Sequence, residues 1–125
     1  MSKIFLQDTY APHSICFGCG PSNKSGLRIQ SVDEGEFITC RWTPAPFHEA
    51  FPGVLNGGII GTLLDCHCNW TAAWNLKKKW AMKEVPCTVT AEYTIQLLKP
   101  TPSGKEIYMK SHVLEFIKED RAWIE

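Results

Sequence analysis

Asp65 is the one charged residue in the proline-free stretch from Gly57 to Leu76. A lone carboxylate in such a setting can take a proton from water or attack an electrophilic carbon itself. Nine positions earlier stands Asn56-Gly57-Gly58. Two glycines opening a helix leave backbone N–H groups unobstructed at the positive end of its dipole, where they can hold an anion or polarise a carbonyl oxygen. The structural alternative is that Asn56 only caps the helix and the glycines only permit close packing. Cys16-Phe17-Gly18-Cys19 is a C-x2-C pair, with His13 three positions before it. That supplies three ligand types, but a structural zinc site takes four, commonly from two such pairs. No second pair follows, so a turn carrying small thiols is expected, and no metal. Cys66-His67-Cys68 contains a nucleophile and a base. On a helix, neighbours in sequence point about 100° apart and do not face one another, so these three are expected to pack in a core.

The elements that must position these groups follow from periodicity. Between Gly57 and about Leu76, Ile59, Leu63, Cys66, Trp70 and Trp74 fall on one helical stripe. Asn56 is a suitable N-cap, and Lys77-Lys78-Lys79 suits the negative end of the dipole. A second stripe of Gly58, Gly61, Thr62, Asp65, Asn69 and Ala72 is small and polar, which lets a substrate or a second chain approach closely. A tight contact within the chain, with Asp65 capping a neighbour, is the bland alternative. Before the helix, Leu27 to Val32 and Glu36 to Thr43 read as strands around a turn at Asp33-Glu34-Gly35, with Ile38, Cys40 and Trp42 on one face. Prolines 44, 46 and 52 punctuate a loop. After the helix, Thr88 to Leu98 alternates as a strand, with Val89, Ala91, Tyr93, Ile95 and Leu97 on one face. Lys105 to Lys118 reads as another long strand, and Arg121 to Glu125 as a short one. One helix against a mostly antiparallel sheet is an α+β architecture.

Helix geometry constrains the chemistry. Asn56 and Asp65 are nine residues apart, about 13 Å at 1.5 Å per residue, too far for both to act on one carbonyl. If both ends are catalytic, Asp65 works with the helix start of another chain. That favours antiparallel helices paired across a twofold axis, with two equivalent sites.

The chain has 125 residues, with 13 basic and 13 acidic side chains and a formal net charge of zero. One domain fits that length. The balance argues against a nucleic-acid binder or a membrane-surface protein that works through a basic face. With 44% hydrophobic and 21% charged residues the chain is globular rather than disordered. No apolar run reaches the length of a membrane span, and no signal peptide is visible, so a cytoplasmic protein with six reduced cysteines is expected.

Three segments carry a family likeness. Cys16 to Asn23 followed by Gly26-Leu27, Pro52-Gly53-Val54-Leu55-Asn56-Gly57-Gly58 through Asp65, and Val89-Thr90 through Leu98-Lys99-Pro100 together resemble the hot-dog-fold thioesterases. The likeness is strongest to the phenylacetate-degradation type within the 4-hydroxybenzoyl-CoA thioesterase superfamily, and it spans nearly the whole chain. It implies one long central helix wrapped by a curved antiparallel sheet, preceded by an irregular arm over residues 1–26, with the domain proper over 27–125. It implies a homodimer or dimer of dimers whose sites are shared between subunits, and hydrolysis of an acyl-CoA thioester. Coenzyme A enters as part of the substrate, and no cofactor is implied.

By position, Asp65 corresponds to the acidic catalyst, as base for water or as nucleophile. Gly57 N–H of the partner chain corresponds to the oxyanion donor, and Thr90 to a hydroxyl that positions the water. Gly58, His48, Thr62 and Lys99 are the substrate-contact candidates; Lys77, Lys78, Lys79 and Lys99 are candidate cations for the CoA phosphates, with solvated surface lysines as the alternative. Two positions depart from the pattern. Asn56 stands where the family has a histidine, and an amide can bond a thioester oxygen or cap a helix but cannot titrate. Ala50 stands where some members have an asparagine, with His48 close by. A non-hydrolytic acyl-CoA or lipid-binding protein is the alternative, and a hot-dog hydratase is disfavoured by Asn56. Trp70, Trp74 and Phe51 suggest an aromatic pocket as readily as core packing. The related folds continue with further β-structure, so the sheet is expected to need one more strand, from a longer chain or from another copy.

Overall fold

The computed structural model describes residues 3–125. Its central element is α2, Gly57–Lys79, which runs three residues further than the periodicity alone marks. Lys77, Lys78 and Lys79 therefore form its last turn rather than follow it. Against it lies a three-stranded antiparallel sheet in the order β1 (Ser31–Asp33), β2 (Ile38–Trp42), β5 (Ile107–Ser111). Ile38 and Cys40 are buried and Trp42 is half-buried, as the alternation requires. The expected long strand from Lys105 breaks at His112. Beyond the break, β6 (Val113–Lys118) forms a separate hairpin with β7 (Arg121–Ile124). His112 and Glu125 exchange backbone hydrogen bonds and close that hairpin.

The first strand starts at Ser31 rather than at Leu27, and three further parts differ from the sequence expectation. The arm carries a short helix, α1 (Leu6–Tyr10), whose Leu6 and Gln7 are buried. The proline-rich loop holds a 3-10 turn at Pro46–His48 and a small hairpin of β3 (Glu49–Phe51) and β4 (Val54–Leu55). Gly53 supplies the positive φ of 83° that this turn needs. The third difference bears on the site: residues 88–98 form no strand and pair with none among the described residues. This segment instead lies along α2. Thr88 bonds Asn69 and Thr90 bonds Asp65. The Leu97 side chain comes down over Gly57 and that of Ile95 over Gly61. The face turned to the helix switches between Thr90 and Ile95, so the strict alternation read from sequence does not persist along its length.

The core gathers Cys19, Leu27, Ile29, Cys40, Leu63, Cys66 and Met109, with Trp42, Ile59 and Trp70 packed on it. Beside it runs a buried polar chain. Gln7 Nε2 donates to Ser31 Oγ (2.9 Å), and Gln7 Oε1 accepts from the Ser31 N–H (2.7 Å). His67 Nε2 lies 3.0 Å from the Ile38 carbonyl, which can only accept, so Nε2 carries the proton. Nδ1 then accepts from Ser31 Oγ at 2.9 Å. Thr71 donates to the His67 carbonyl and meets Ser111 Oγ at 2.5 Å. Burial holds the His67 imidazole down to about pKa 4, against the small opposing effect of Ile38. No buried side-chain polar atom among the described residues lacks a partner. No helix of the described chain is long and apolar enough to cross a membrane.

Candidate active site

The start of α2 is exposed. Asn56 has extended backbone angles and its Oδ1 accepts from the Ile59 N–H at 3.1 Å, the N-cap expected of it. Its own N–H donates to the His48 carbonyl at 3.0 Å, which fixes the 3-10 turn behind the helix start. Among the described residues the Gly57 and Gly58 N–H groups donate to no atom of the chain. These are first-turn donors at the positive end of a 23-residue helix, open to a ligand oxygen.

Two turns further on, the half-buried Asp65 accepts a hydrogen bond from Thr90 Oγ1 at 2.6 Å on Oδ1. This leaves Oδ2 free to take a proton or to attack. An open groove of about 360 Å³ lies beside it, lined by Asp65, Thr90, Ala91, Glu92 and Tyr93. The small stripe of α2 is thus approached by the chain's own 88–98 segment, which delivers Thr90 to the carboxylate. Thr62 lies between the two ends, its hydroxyl donating to the Gly58 carbonyl at 3.1 Å.

The other expected residues sort differently. His48 Nδ1 accepts from the Ala45 N–H at 2.8 Å, and its ring sits 5.1 Å from Trp42 and 4.6 Å from Phe47. Its side chain serves the loop, and its link to the site runs through its carbonyl and Asn56. Lys99 is exposed just beyond Leu97. Lys78 pairs with Asp33 at 2.8 Å, Lys77 lies over Trp74, and Lys79 lies over Trp80 and Phe116. The aromatic residues do not gather: Trp74 donates to Asp33 and stacks on Tyr10, Trp70 joins the core, and Phe51 is exposed on the β3–β4 hairpin.

The cysteines form a group that the sequence left scattered. Cys66 joins Cys16 and Cys19, all three sulfurs lying within 4.8 Å of one another, while His13 is no part of the cluster. The neighbouring Cys66 thiol pulls the Cys19 thiol below its ordinary value, while the same closeness and burial push the Cys66 thiol up. Fifty residues separate Cys16 from Cys66, so no local spacing could have signalled the contact.

One long helix packed against antiparallel strands is the hot-dog α+β architecture, and here that helix carries a carboxylate held by a hydroxyl and free N–H groups at its start. A thioesterase superfamily protein from Shewanella loihica PV-4 has a similar solved structure, with a TM-score of 0.69 and 33% sequence identity over 88% of this chain and 78% of that one. No family model matches the chain, and none of the curated proteins does. The chain belongs to the thioesterase superfamily.

Proposed function

We propose that this protein hydrolyses an acyl-CoA thioester at sites shared by two copies of the chain, as its likeness to the phenylacetate-degradation type implies. The observation that carries this reading is the Thr90–Asp65 hydrogen bond of 2.6 Å, which aims one carboxylate oxygen and frees the other beside an open groove. Asp65 Oδ2 takes a proton from water as the water oxygen bonds to the thioester carbon. The carbonyl electrons move onto oxygen, where the Gly57 N–H of the partner chain stabilises them. Collapse breaks the C–S bond, and the departing thiolate recovers the proton from Asp65.

Assembly enters because Gly57 and Asp65 of one helix are about 12 Å apart along its axis, at 1.5 Å per residue. Supporting an association are the apolar side chains that the 88–98 segment turns outward, Val89 at 86% and Leu98 at 85% exposure. The substrate contacts proposed are Gly58 and Thr62 near the acyl carbonyl and Lys99 toward the phosphates, with His48 holding Asn56 in place.

Purified protein offered a panel of acyl-CoAs, with free thiol as readout, tests this. Release by the wild type and its loss in Asp65→Ala is the expected result. Binding of acyl-CoA without thiol release would assign the chain to the non-hydrolytic binding proteins instead.

A further inference from the structure

Three thiols that the proposed hydrolysis does not use converge at the base of the arm. Cys16 and Cys19 come from the loop before β1, and Cys66 from the middle of α2. All are free, with Cys19 and Cys66 buried and Cys16 at the surface. The loop is shaped for this meeting. Gly18 lies so close to α2 that any Cβ there would collide with Cys66 Sγ and press on Thr62. A Cβ at Gly20 would strike the Cys16 backbone nitrogen. The loop is pinned from its other side by Leu27 N–H to the Phe17 carbonyl (2.8 Å) and Ile29 N–H to the Gly18 carbonyl (3.1 Å). Gly18 is thus required by the approach that brings the sulfurs together, and Gly20 by the loop's own tight turn.

The spacing fits a shared metal ion. Zinc–thiolate bonds of about 2.3 Å at tetrahedral angles place sulfurs about 3.8 Å apart. Cys16 Sγ and Cys66 Sγ are 3.7 Å apart, and the third sulfur lies within 4.8 Å of both. We propose that Cys16, Cys19 and Cys66 bind one thiophilic d10 cation, of which Zn2+ is the type, with water in the fourth position. Three protein thiolates leave one coordination position open, and the exposed Cys16 is the route of entry. The ion fastens the arm to α2 one residue from Asp65, and ligation releases the thiol protons.

Reduced, metal-free protein titrated with Cd2+ should show a sulfur-to-cadmium charge-transfer band saturating at one ion per chain. Zn2+ should compete for the same site and raise the thermal midpoint. Cys16→Ser alters an exposed side chain and should fold, as far-ultraviolet circular dichroism will check; it should lose the one-to-one binding. Cys68→Ser and Cys87→Ser, outside the cluster, should keep it. A titration without a band at one equivalent overturns the proposal, as does a band that survives in Cys16→Ser. So does reduced protein that binds neither ion and, in air, becomes two mass units lighter through a Cys16–Cys66 disulfide.

Discussion

His67 makes this fold sensitive to acid in a calculable way. Its ring is 1% exposed, donates through Nε2 to Ile38 and accepts through Nδ1 from Ser31. Protonation places a second N–H against Ser31 and a charge inside the core. The folded imidazole titrates near pKa 4 where an unfolded histidine titrates near 6.5. Between those values the unfolded chain binds more protons, so stability rises with pH across the window. The contribution is fully present above pH 6.5 and is lost progressively as pH falls toward 4. At 1.36 kcal/mol per pH unit for one proton, the loss comes to about 3 kcal/mol, a large share of the 5–15 kcal/mol typical of a domain.

Asp33 does not confuse the measurement. Burial acts to raise its carboxyl, but hydrogen bonds from Lys78 and Trp74 outweigh it and hold it below 3.8, beneath this window. Urea unfolding at pH 7.5, 6, 5 and 4.5 reads the slope directly. His67→Gln keeps a donor and an acceptor without a proton to gain, and should flatten it. A wild type equally stable at pH 7.5 and 4.5, or a variant that falls in parallel with it, would refute the reasoning.

Other consequences can be checked alongside. Leu63→Ala empties a site that is 1% exposed under the helix and should cost about 2–5 kcal/mol in urea unfolding. Asn56→Ala removes the side-chain cap on Ile59 and should lower stability by about 1 kcal/mol by the same assay. Thr90→Val deletes the hydrogen bond that aims Asp65, and kcat for thioester hydrolysis should fall about 10–100-fold, from the 1.5–3 kcal/mol typical of a bond to a charged group, with the fold unchanged.

How much was legible in the sequence depended on the range of the signal. The α2 helix announced itself through a proline-free stretch, its Asn56 cap and a regular apolar stripe, and β2 through its alternation. Asp65 stood out because a single charge in a 20-residue helical pattern is rare. Residues 88–98 were less transparent. Alternation reports an extended backbone, not what lies beside it, and here the neighbour is α2 rather than a strand. The switch of faces between Thr90 and Ile95 arises from packing on a helix whose surface repeats every 3.6 residues, which a period of two does not match. The break at His112 was hidden because the apolar pattern runs through it. The thiol cluster was hidden for another reason: Cys66 joins Cys16 across the fold, and Gly18, not the cysteines, makes the approach possible.

The central claim is that one chain's Asp65 works with the other chain's Gly57 N–H. Two inactive variants test it. Asp65→Ala removes the base. Gly57→Pro removes the N–H at the first helical position, where proline is well tolerated, and Asn56 at φ −63° and ψ 133° already has the backbone a following proline requires. Each variant alone should be inactive in thiol release. Refolded together at equal amounts, half the dimers are mixed and each regains one intact site, so activity should return to about a quarter of wild type by random pairing across a twofold interface. A mixture as inactive as its components would contradict the shared site.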